Sequence, residues 1–192
     1  MKPALFCVLL LQAAAPAMGY AEGAPSEVCE SMKPGHQGVS PQAITSPYTI
    51  KTSNSTFKTG QNVTVIIDGE GYGGVLLQAR SGSSTKSLGT WGTPPSNTKH
   101  LECSGNKQGA ITHSNINMKN NLTVYTWMPP STTDSFYFIA TVAKEKSIYW
   151  LTVKSKALTR EAGSGADPQK ISSPLLLCVL FLSTLASVMF QS

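Results

Sequence analysis

Between Pro47 and Lys154 the chain alternates apolar and polar positions in short runs, each closed by Gly, Pro, Asn or Ser. In QNVTVIID, Val63, Val65 and Ile67 fall on one face and Thr64, Ile66 and Asp68 on the other, the period of two expected of a half-buried strand. LTVYTWMPP does the same, with Leu122, Val124 and Thr126 against Thr123, Tyr125 and Trp127, and Pro129-Pro130 ends it. GVLLQARS is more continuously apolar and ends in a charge at Arg80. PYTIKTS, KHLECS, GAITHS, SFYFIATVAK and SIYWLTVK supply further strands, the last two joined by a charged turn at Lys144 to Lys146. Residues 81–98 are dense in turn formers and predict a long loop with one short strand around Leu88 to Trp91. Away from the two ends no run shows helical periodicity, so about seven or eight short strands with frequent turns predict an all-β fold, a β-sandwich of two packed antiparallel sheets.

The ends read differently. Residues 1–19 carry Lys2, an apolar run of about twelve residues and small residues at Ala17 and Gly19, the order of a signal peptide and too short for the roughly 20 residues a membrane span needs. At the other end residues 157–174 turn to Gly, Ser and Ala, a stalk, and residues 175–192 form an uncharged apolar tail. The small triplet Ser164, Gly165, Ala166, a polar spacer and that tail are in the order required for a glycosylphosphatidylinositol anchor, with Ser164 the candidate attachment site. A type I transmembrane helix is the alternative, although no basic stop follows the tail. The expected location is therefore extracellular, on the outer leaflet of the cell surface, with residues 20–156 as the folded domain.

Charge and cysteines refine the picture. The formal net charge of +5 over 192 residues falls to about +4 once the ends are removed, too dilute to argue for nucleic acid. Cys7 and Cys178 leave with the two ends, so Cys29 and Cys103 remain, and a pair in an oxidising compartment is most simply a disulfide. The chain-entropy model gives such a long loop roughly 4 kcal/mol. Asn54, Asn62 and Asn121 each open a glycosylation sequon.

Few residues invite chemistry. His36 and His113, with Met32, are candidate ligands for copper or zinc, but a disulfide would remove both sulfurs from that shell, and hydrogen bonding to loop backbone is the simpler role for the two imidazoles. Ser114 adjoins His113, yet neighbours on a strand point to opposite faces, which argues against a hydrolase pair with Asp134 as its acid. Arg80 is either an anchor for an anionic ligand or the partner of an inter-strand carboxylate or of Trp91 or Trp127. Lys144, Lys146, Lys154 and Lys156 offer a basic edge for an anionic glycan or protect a sheet edge.

The blocks CESMKPGH, SPYTI, LLQAR, LGTW, Cys103 with THS at Thr112 to Ser114, YTWMPP and FIATV follow one another in unbroken order. Together they resemble the reeler (reelin N-terminal) domain from about Gly23 to Lys154. The resemblance implies an immunoglobulin-like sandwich, a structural Cys29–Cys103 disulfide and no catalytic residue set. Small family members are secreted insect defence proteins; larger ones include the ferric-chelate reductases, whose electron transfer resides in haem-binding membrane and DOMON modules that this sequence does not show. The expectation is a non-enzymatic protein without a cofactor, acting in recognition of microbial surface polysaccharide or in adhesion to matrix glycosaminoglycan.

Overall fold

The computed structural model describes residues 20–161; the expected signal peptide, the candidate attachment site Ser164 and the apolar tail lie outside the described residues. Within them the chain folds as β1 Thr49–Thr52, β2 Thr56–Phe57, β3 Val63–Asp68, β4 Gly74–Arg80, β5 Thr90–Trp91, β6 Thr98–Cys103, β7 Asn106–His113, β8 Val124–Met128, β9 Ser135–Glu145, β10 Ile148–Lys154 and β11 Leu158–Arg160, preceded by a single 3₁₀ turn at Ser26–Val28. The smaller sheet runs β1-β3-β8-β5, and the larger β2-β11-β9-β4-β7-β6 with β10 also on β9.

The all-β sandwich expected from the alternation is present, with eleven strands in place of about seven or eight. β2 and β11 are the unanticipated ones. They pair with each other in parallel, Thr159 opposite Thr56, so the pairing is not wholly antiparallel. β11 also pairs with the start of β9, Leu158 opposite Phe136, which carries the sheet past residue 156, where composition alone places the end of the domain.

The core lies between the sheets. Val63, Val65 and Ile67 of β3 are buried in strict alternation, and β8 turns Tyr125 and Trp127 inward. Facing them are Val75, Leu77 and Ala79 of β4 and Phe136, Phe138, Ala140 and Val142 of β9. Trp127 sits 4.4 Å from Phe136 and 5.2 Å from Phe138 between ring centroids, separations at which aromatic pairs add about 0.5–1.5 kcal/mol beyond their burial. The two deepest phenols, Tyr72 and Tyr125, satisfy each other at 2.9 Å; burial pushes the Tyr72 hydroxyl up to about 12.

The continuous apolarity of β4 has its own cause. Strand residues alternate faces, so Leu76, Gln78 and Arg80 point away from the core, yet they too are buried. A third layer covers them.

Candidate functional site

That layer is the segment of residues 20–36, which crosses the outer face of the larger sheet as a strap. It has no periodicity and is held point by point. Gly23 has φ 114 and approaches so closely that a Cβ there would run into the carbonyl of His113; only glycine tolerates both. Next, Ala24 N–H donates to Thr112 Oγ1 at 2.9 Å. After the 3₁₀ turn, Cys29 is bonded to Cys103, and Met32, in the left-handed region at φ 53, gives its carbonyl to Thr141 Oγ1 at 2.6 Å. A non-glycine residue in that conformation persists only when its surroundings fix it. Here they do, since Cys29 and Met32 pack with Leu76, Cys103, Ala110 and Ile139 in a second small core.

Arg80 is part of this fastening. It is 5% exposed; Nε donates to Gln78 Oε1 at 3.0 Å, and Nη2 to the carbonyls of Cys29 and Glu30 at 2.7 and 3.0 Å. Gln78 Nε2 donates to the same Cys29 carbonyl at 2.9 Å. The guanidinium thus caps strap backbone, neither stacking on a tryptophan nor facing solvent, and burial lowers its pKa.

His113 serves the same strap. Nδ1 lies 3.2 Å from both the N–H and the carbonyl of Val75, and Nε2 lies 2.6 Å from the carbonyl of Tyr20. With both ring nitrogens engaged and both sulfurs in the disulfide, His113, Cys29 and Cys103 are all committed within the protein. Asp134 pairs with Arg160 at 3.3 Å, remote from any role beside Ser114. His36 lies edge-on to Tyr149, ring centroids 5.7 Å apart, and its pKa is lowered, first by burial and also by Lys146 and His113.

The lysines divide. Lys144 is paired with Glu70 at 2.6 Å and Lys154 lies 5.0 Å over the ring of Tyr137, while Lys146 and Lys156 are exposed. All three sequon asparagines are exposed, in loops flanking the strands of the smaller sheet.

Beside the strap a cavity of about 620 Å³ opens. Its floor is Gly74 and Leu76 of β4 with Thr141 and Ala143 of β9, and the strap contributes Ala24, Val28, Met32 and His36. Ile116 and Met118, which the sequence reading passed over, form the far wall although they are 68% and 59% exposed. Their loop is fixed by another residue with no signal in the sequence. Lys119 is 2% exposed, and its Nζ donates to the carbonyls of Gly73, Asn115 and Asn117 at 2.8, 3.1 and 2.7 Å; burial pulls its pKa down to about 8. The only hint is the pair of isolated apolar residues in the polar stretch SNINMKNN.

The family model described as the reeler domain matches residues 27–166. The chain belongs to the reeler family. A protein of Antheraea mylitta named, provisionally, as a defence protein is 34% identical over 159 residues, covering 80% of this chain and 94% of that one. A protein of Danio rerio provisionally named a ferric-chelate reductase is 32% identical over 144 residues, 72% of this chain but 25% of that one. The reeler domain of human F-spondin has the same fold, with a TM-score of 0.51 at 15% identity, covering 66% of this chain and 96% of that one. The resemblance drawn from the sequence blocks and the disulfide it implies therefore hold, and the reductase relative shares only its reeler portion.

Proposed function

We propose that this reeler protein is a non-catalytic recognition module of the defence type, held on the outer leaflet by a lipid that replaces the apolar tail, and that it engages microbial surface glycans. The observation that carries the non-catalytic reading is where the reactive side chains go: Arg80, Gln78, His113 and the cysteine pair are all consumed in fastening the strap. The defence reading is supported by a relative matched over 94% of its own length, and the extracellular reading by three exposed sequon asparagines. With Arg80 inside and Lys144 paired, glycan contact falls to Lys146, Lys154 and Lys156. These same exposed lysines favour a second reading, adhesion to matrix glycosaminoglycan.

Purified protein passed over immobilised bacterial polysaccharide and over heparin across a salt series separates the two. Retention on polysaccharide alone supports defence, retention on heparin alone supports adhesion, and flow-through on both at low salt, where such contacts are strongest, overturns the glycan reading. Phosphatidylinositol-specific phospholipase C treatment of expressing cells tests the tether: release supports the lipid anchor, retention a membrane helix.

A further inference from the structure

We infer that the cavity beside the strap binds a single acyl chain ending in an anionic head group. At about 620 Å³ it falls within the roughly 300–1,000 Å³ of small-molecule sites. Its walls are apolar on three sides: Leu76 and Ala143 below, Val28 and Met32 from the strap, Ile116 and Met118 opposite. Ile116 and Met118 are exposed although each sits on a loop that Lys119 holds rigidly in place. Exposing two large side chains in a fixed position is unfavourable unless something apolar covers them, and the thioethers of Met32 and Met118 adapt to a flexible chain.

The rim selects the head group. Lys33, Lys144 and Lys146 line the mouth against Glu145 as the only carboxylate among the lining residues. Lys144 is occupied by Glu70, so the exposed Lys33 and Lys146 carry the attraction. A sugar would find little here, because the floor presents methyl and methylene groups where a glycan needs hydrogen-bond partners. A carboxylate-terminated chain matches both the floor and the rim. This site shares Lys146 with the proposed glycan contacts but not Lys154 or Lys156, and the inference does not rest on the defence reading.

The test is calorimetric titration of the purified full chain with dodecanoate below its micelle concentration, with dodecylamine and dodecanol as head-group controls. The expected result is saturable one-to-one binding of dodecanoate, with either control weaker by roughly tenfold, the scale of one or two charge contacts near a surface. Ala143→Trp, which fills the floor, abolishes binding while the circular dichroism spectrum is unchanged; should that variant fail to fold, Ala24→Leu and competition by hexadecanoate replace it. The double variant Lys33→Glu/Lys146→Glu reverses the preference towards dodecylamine. Absence of saturable dodecanoate binding, equal binding of the amine, or full binding by a folded Ala143→Trp or Ala24→Leu each overturns the inference. A further arm uses phosphatidylglycerol vesicles: association with vesicles without dodecanoate binding assigns the surface to intact membranes and overturns the free-chain site.

Discussion

Replacing Cys29 and Cys103 together by alanine tests how the third layer is held. The disulfide spans 74 residues, a loop that contains β1 to β5 and most of β6, so it restrains much of the unfolded chain as well as the strap. The chain-entropy relation gives about 4 kcal/mol for such a loop, or a drop of roughly 10–15 °C in melting temperature for a domain of this size. Urea and thermal melts read by far-ultraviolet circular dichroism and by tryptophan fluorescence, which reports on Trp91, Trp127 and Trp150 in the main core, measure it. A loss below about 1 kcal/mol would refute the role of the crosslink. Arg80→Met sharpens the test, since it removes two charge-assisted hydrogen bonds to strap carbonyls of about 1.5–3 kcal/mol each, offset in part by relief of a buried charge. If disulfide and guanidinium fasten one cooperative layer, the cost of Arg80→Met shrinks by about 1 kcal/mol or more in the cysteine-free background. Strict additivity would show that they act separately.

Lys119→Met leaves three carbonyls without their shared donor; stability in urea falls by about 2–3 kcal/mol, and hydrogen exchange quickens at 115–119 before it does in the sheets. The folded pKa of His36 lies below its usual 6.5, so between those values the unfolded chain binds the extra proton, and the stability present above pH 6.5 is lost as pH falls through the folded value. His36→Gln removes that part of the pH dependence, and an equal fall in melting temperature from above pH 6.5 to pH 5 in both proteins would contradict it. Gly89 has φ 68 and no room for a Cβ beside the indole of Trp127; Gly89→Ala costs about 1–3 kcal/mol through backbone strain and displacement of the ring, visible as a shifted tryptophan emission.

The alternation in VTVIID and VYTWM announced β3 and β8 because each is half-buried between core and solvent. β4 was legible as a strand of continuous apolarity, but the layer that covers its second face was not, because the strap is recognised by isolated contacts such as Thr141 to Met32 that leave no period in the sequence. β2 and β11 escaped for a related reason. Runs of two and three residues carry no pattern, and their pairing joins positions some hundred residues apart. Arg80 was visible as a charge closing an apolar strand; its partners on the strap, two backbone carbonyls, have no residue type to betray them. Lys119 lay hidden among asparagines for the same reason, its three acceptors all main-chain oxygens.

The strap is the earliest part of the described domain to be made and among the last to find its place. Its acceptors and donors lie at Gln78 and Arg80, then Cys103, Thr112 and His113, and finally Thr141, 109 residues downstream of Met32. Until β9 has been synthesised, Leu76 and Ala110 have no complete cover, and during that interval the outer face of the nascent sheet is an adhesive surface of the kind that draws aggregation or chaperones. So long-range a closure predicts slow folding, with the strap laid back across the outer face of the sheet and locked there by the disulfide.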